Sequence, residues 1–216
     1  MNKRFAIFDM DGTLVDSMGY WRRLGREYLL RQGLNEDIAP ALERVRSLTM
    51  GESAVLFVEE FHLPKSPEKV AAEMNSMMEA HYRQDIPLKA GVELYLQRLR
   101  ERGCRLCVAS ATDSRLMQDC LRRLSLEGCF EFLLSCQEVG ENKRSPLVYL
   151  EAARRLGAAP GEIAVYEDAL YAAETAKAAG FYTLGVYDAV SRESWAQLTR
   201  LTDEWIMDWA EAAAAL

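Results

Sequence analysis

The sequence predicts an α/β fold in which helices cover both faces of a parallel sheet, giving three layers, α/β/α, with an all-helical domain inserted near the start. Three observations predict it. Short apolar runs of the kind that form buried strands recur at residues 5–8, 106–109, 132–134, 163–166 and 183–186. Amphipathic stretches of helical length, 92–102, 115–124, 147–156 and 169–179, alternate with the later runs. From about residue 17 to 86, by contrast, helical periodicity continues without a convincing strand.

The first strand, 5–8, stops at Asp9-Met10-Asp11-Gly12, where the apolar run ends and glycine allows a sharp turn. The inserted segment follows with apolar positions at Trp21, Leu24, Tyr28 and Leu29, then over 45–61 and 70–82, punctuated by Pro64 and Pro67. Pro87 and Gly91 mark the return to the strand–helix rhythm. Gly103, Gly157 and Gly180 each close a helical stretch, where a helix C-terminus favours a residue that tolerates positive φ. Trp205-Ile206-Met207 and the alanine-rich end suggest a last short strand or turn and a terminal helix. The expected domains are therefore 1–16 with 88–216, a Rossmann-like core, and 17–87, the helical insertion.

Half of the 216 residues are apolar and 27% are charged, the balance of a globular protein with a substantial core. The net charge of −7 argues against nucleic acid or an anionic membrane as the main partner, since both select basic patches. The N-terminal apolar run is too short for a signal peptide and no segment approaches a membrane span, so the expected location is the cytoplasm. Five cysteines include the pair Cys104 and Cys107, but the surrounding run reads as a buried strand, so reduced, packed thiols are expected rather than a zinc or redox site.

Four places carry chemistry, and each follows a predicted strand. In open α/β sheets that carboxyl edge is where ligands bind. Asp9 and Asp11 place two carboxylates where they can converge on one hard cation, while the turn at Gly12 offers backbone N–H groups to an anion. Ser110, with Ala111 and Thr112, sits just before a helix that begins near Asp113 or Ser114, a position suited to a phosphate oxygen and also to an ordinary cap. Lys143 precedes a helix and can act as a point charge on phosphate. Glu167 and Asp168 end an apolar strand, where adjacent acids are costly unless a metal or donors satisfy them; carboxylate oxygens suit Mg²⁺.

In order, Phe8-Asp9-Met10-Asp11-Gly12-Thr13-Leu14-Val15-Asp16-Ser17, Val108-Ala109-Ser110-Ala111-Thr112, Lys143-Arg144-Ser145-Pro146 and Tyr166-Glu167-Asp168 resemble the haloacid dehalogenase-like superfamily of phosphotransferases. The all-helical insertion resembles the cap of the branch with β-phosphoglucomutase and phosphoglycolate phosphatase. The resemblance implies a Mg²⁺-dependent phosphatase acting on a small phosphorylated metabolite. Asp9 would be the nucleophile and Asp11 the general acid and base. Mg²⁺ would rest on Asp9, the Asp11 carbonyl and Asp168, with Glu167 direct or through water. Ser110, Ala111 and Lys143 would bind the phosphoryl oxygens. Asp11 and the acid pair argue against a true dehalogenase, which lacks them.

Departures bear on the subfamily. Where sugar-phosphate mutases of this branch carry a His, a cap Arg and a Lys, this chain has Trp21, Met50 and Asp113, and Arg44 or Arg46 could compensate from the insertion. Ala169, Ala172 and Arg144 replace a usual Ser, Gly and Pro. Tyr20, Trp21, Met50 and Phe57 are candidates either for facing the leaving group or for the core of the insertion. The alternatives to a phosphatase are a mutase and a non-catalytic phosphometabolite-binding protein. Oligomeric state is not legible.

Overall fold

The computed structural model describes residues 3–45, 48 and 50–216. The chain runs through β1 (Phe5–Phe8), then α1 (Met18–Arg31), α2 (Ala39–Arg44), α3 (Met50–Phe61) and α4 (Pro67–Gln84). It continues through α5 (Val92–Glu101), β2 (Arg105–Ser110), α6 (Ser114–Arg123), β3 (Leu133–Ser135), α7 (Cys136–Val139) and α8 (Leu147–Leu156). It ends with β4 (Ile163–Glu167), α9 (Leu170–Ala178), β5 (Tyr182–Val186), α10 (Trp195–Leu201), β6 (Glu204–Ile206) and α11 (Trp209–Ala214). Two compact units result: Met1–Ser17 with Ile86–Leu216, and Met18–Asp85.

The first unit is built on a six-stranded sheet in the order β3-β2-β1-β4-β5-β6, every neighbouring pair parallel. This is the Rossmann-like arrangement. The chain winds outward from β1 to β3, then crosses back to β4 on the other side of β1. The reversal leaves a crevice beyond the carboxyl ends of β1 and β4. Register aligns those ends, with Phe8 opposite both Val108 and Tyr166. Both faces are covered. On one, Ile7, Cys107, Ala109 and Val165 pack with Val148, Tyr149, Ala152 and Leu156 of α8. On the other, Phe8 stacks on Tyr166 at 4.1 Å between ring centroids, and Trp209 of α11 and Tyr95 of α5 complete the aromatic cluster. Gly91 begins α5 at φ 89°, and a Cβ there would stand 2.4 Å from the Ala210 nitrogen, so only glycine lets α5 approach α11 this closely.

In the second unit, Gly25 brings α1 against Phe57 of α3, which is fully buried in that unit's core. Ser66 caps α4 by accepting from the Lys69 N–H, with Pro67 at the first helical position. Of the helical stretch expected over 45–61, α3 covers Met50–Phe61, and a separate short α2, with Pro40 in its first turn, ends before it at Arg44.

Three further details depart from the sequence reading. β3 lies one residue later than expected because Leu133 pairs with Val108. Ser135 then leaves the strand as the cap of α7, its hydroxyl accepting from Gln137 N–H while Glu138 accepts from its own N–H. Helix α10, Trp195–Leu201, was not anticipated. Among the described residues no helix is long and apolar enough to cross a membrane.

Candidate active site

β1 delivers Asp9 and β4 delivers Glu167 and Asp168 to the same crevice, and the link is made in the backbone: Asp9 N–H donates to the Tyr166 carbonyl at 3.0 Å. Carboxylate oxygens of Asp9, Glu167 and Asp168 all lie within 4.8 Å of one another, and all three residues are buried. Lys143 enters from the turn before α8, a turn that Asn142 shapes by accepting from Arg144 N–H at 2.9 Å. Far from being a solvated surface lysine, it is only 4% exposed. Its Nζ donates to Asp9 Oδ1 and, at 2.6 Å, to Glu167 Oε1.

Three buried carboxylates against one ammonium leave two uncompensated negative charges. Burial first, and that imbalance second, set the pKa values of the group. Burial, only partly offset by Lys143, raises Asp9; burial against the same ammonium pushes Glu167 up to about 7. Burial, then Asp9, Glu167 and Asp188, carries Asp168 well above the usual carboxylate range. Burial alone would lower Lys143, yet Asp9 and Glu167 hold it above its ordinary value, so it stays charged. An all-oxygen, doubly negative, partly desolvated pocket is the setting a divalent hard cation fits.

Asp11 stands apart from this trio. Ser17 donates to its Oδ1 and Thr112 to its Oδ2, both at 2.6 Å, which fixes the carboxylate at the mouth of the turn. That turn depends on Gly12, at φ 81°, whose N–H donates to the Val15 carbonyl. Ser110 is buried at the end of β2 and accepts from Thr112 N–H at 3.2 Å, while Ala111 is exposed in the same turn. Asp113 caps α6 by accepting from Arg115 N–H, a structural task for the residue that stands where a mutase has a lysine. Arg144 stacks on the Tyr171 ring, 4.9 Å from its centroid.

Within the helical unit, Trp21 donates to the Tyr82 hydroxyl, Tyr20 to the Asp85 carbonyl, and Arg44 pairs with Glu60. Phe57 belongs to that unit's core, Met50 is half-buried, and Arg46 lies outside the described residues. All five thiols are free; four are buried, and burial pushes Cys104 up to about 11, so the buried thiols pack rather than react.

Sequence reasoning did not find the hydroxyl of Tyr149, the hydroxyl partners of Asp11, or the buried pair Lys89–Asp188 at 2.9 Å. Asp188, the first acid after the apolar run of β5, was the available signal for the last of these.

The comparisons with known proteins agree with this geometry. Residues 4–180 match the family model described as haloacid dehalogenase-like hydrolase, so the chain belongs to that family and is an enzyme, a hydrolase. It falls in the branch that contains β-phosphoglucomutase and phosphoglycolate phosphatase. The chain is similar to hexitol phosphatase A of Escherichia coli, with 30% identity over 83% of this chain and 81% of that one. It is also similar to a phosphorylated carbohydrates phosphatase of Thermotoga maritima, with 27% identity over 81% of each. A Thermotoga maritima structure provisionally named a β-phosphoglucomutase superposes with a TM-score of 0.83 at 24% identity, covering 98% of this chain and 97% of that one, which shows the shared fold.

Proposed function

We propose that this enzyme is a Mg²⁺-dependent phosphatase of small phosphorylated carbohydrates that works through an aspartyl-phosphate on Asp9. The observation that carries the reading is the convergence of Asp9, Glu167, Asp168 and Lys143 at the sheet's switch point, with Asp11 held separately by two hydroxyls. The curated relatives named for sugar and hexitol phosphates support the substrate class.

With Oδ1 held by Lys143, Oδ2 of Asp9 attacks phosphorus while the bond to the leaving oxygen breaks. Asp11 protonates that oxygen. It then takes a proton from water, which attacks the same phosphorus and frees Asp9 and inorganic phosphate. Ser110, the Ala111 N–H and Lys143 hold the phosphoryl oxygens through both displacements. Asp9, Asp168, the Asp11 carbonyl and Glu167 would hold Mg²⁺, which supplies charge neutralisation between nucleophile and phosphate when bound. The helical unit, Met18–Asp85, is assigned the selection of the leaving group. With Trp21, Met50 and Asp113 in place of three cations, and Arg44 paired with Glu60, a second phosphate grip lacks its charges, which favours hydrolysis over mutase chemistry.

A panel of hexose, hexitol and glycolate phosphates, assayed for free phosphate, tests the reading. Release from at least one carbohydrate phosphate with Mg²⁺, and none in EDTA, is expected. Conversion of glucose 1-phosphate and its bisphosphate activator to glucose 6-phosphate without free phosphate would replace hydrolysis by mutase activity.

The metal also predicts a pH signature. Glu167 titrates at about 7 in the folded chain against 4.5 in its unperturbed state, so the metal-free fold retains a proton that the unfolded chain releases. That contribution to stability is full below pH 4.5 and is lost as pH rises through about 7. Mg²⁺ binds the ionised carboxylates, so the rise in Tm it causes should grow from pH 5 to pH 8. A Tm shift independent of pH over that range would contradict it.

A further inference from the structure

Glu167 has two donors on a single oxygen. Lys143 Nζ reaches Oε1 at 2.6 Å, and the hydroxyl of Tyr149 donates to the same atom at 2.7 Å. Tyr149 is the third residue of α8, fully buried in the core cluster that includes Ile7, Val148 and Leu156, with its ring 6.1 Å from that of Phe181. A phenylalanine would fill that apolar position as well. The hydroxyl is a buried polar group that would be costly without a partner, and its partner is Glu167.

The arrangement matters because Lys143 has competing duties. It bridges Asp9 and Glu167, and in the proposed reaction it must also engage the phosphoryl group. Whenever its ammonium turns toward phosphate, a 1% exposed Glu167 loses part of its compensation. Tyr149 cannot be drawn away in the same manner, since its ring is locked in the core.

We infer that Tyr149 is a positioning residue for the metal site: its hydroxyl anchors Oε1 of Glu167 so that Oε2 is presented to the cation, directly or through water, independently of where Lys143 points. The inference rests on the Mg²⁺ reading of the site. Outer hydrogen bonds to metal-binding carboxylates set their orientation, and losing one typically weakens metal affinity about 10-fold or more.

The test is Mg²⁺ titration of the intact, substrate-free protein by calorimetry, for wild type, Tyr149→Phe, Glu167→Gln and the double variant, with circular dichroism to confirm that each folds. Tyr149→Phe should weaken binding about 10-fold. In the Glu167→Gln background the same change should have little further effect, because the oxygen it anchors is no longer a charged carboxylate. A role in packing alone would give equal losses in both backgrounds. Affinity within twofold of wild type for Tyr149→Phe, or an undiminished loss in the Glu167→Gln background, overturns the inference while leaving the metal site standing. No Mg²⁺ binding by wild type overturns the metal reading and this inference with it.

Discussion

Asp9→Asn should lower kcat by at least about 10³-fold while the protein remains folded, with a Tm in metal-free buffer equal to or above that of wild type. The two halves of the result come from different physics. The amide is nearly isosteric but is a far poorer nucleophile, so the covalent step has no competent attacking atom. For stability, Asp9 sits in a pocket where negative charges outnumber positive ones, and burial already raises its pKa. Removing one charge relieves that excess, and Lys143 keeps Glu167 as a partner at 2.6 Å. Phosphate-release kinetics and a thermal melt on the same preparation check both. Retained activity would remove Asp9 from the reaction, whereas a large fall in Tm would mean that the charge distribution of the pocket has been misread.

Lys143→Met reverses the stability effect. It strips the single ammonium from three buried carboxylates, and removing one partner of a buried ionic cluster typically costs about 3–5 kcal/mol. Activity should fall by about 10²–10³-fold as well, since a preorganised charge on the transferring phosphoryl group is lost. Urea denaturation without metal measures the first effect and kcat the second. The stability loss should shrink toward pH 5, where the carboxylates take up protons, and adding Asp9→Asn should recover part of it because the two substitutions act on one cluster. An unchanged denaturation midpoint for Lys143→Met would contradict the account of the pocket.

What could be read from the sequence has a clear physical boundary. Strand ends were legible because apolar runs stop abruptly at acids or hydroxyls. In an open α/β sheet such ends share one edge, so Asp9, Ser110, Glu167 and Asp168 could be placed beside one another before any coordinates. Lys143 was harder, because its burial depends on a turn shaped by Asn142 and on partners 134 and 24 residues away. Tyr149 was missed for a related reason. At helical spacing an aromatic residue reads as core, which it is, and nothing local reveals that its hydroxyl meets a carboxylate from β4. The pairing of Thr112 with Asp11 likewise joins segments whose approach only the sheet order sets, whereas that of Ser17, six residues from Asp11, depends on the turn at Gly12. The short helices α2, α7 and α10 escaped because each has two turns or fewer, too little for a periodic pattern to show.

The global charge misleads in a comparable manner. A net charge of −7 suggests a poor host for anions, yet in the proposed reaction the buried acids are the protein's half of a cation site. With a divalent ion bound and Lys143 charged, the crevice presents phosphate with a far less negative field than the whole-chain sum implies.

The central claim is that Asp9 carries the phosphoryl group. Rapid mixing of the enzyme and Mg²⁺ with an excess of a ³²P-labelled carbohydrate phosphate that the panel identifies as a substrate, followed by acid quench and proteolysis, tests it most directly. The account predicts label on the peptide containing Asp9, removable by hydroxylamine and absent from Asp9→Asn. Turnover with no label on the protein, or label that persists in Asp9→Asn, would contradict it.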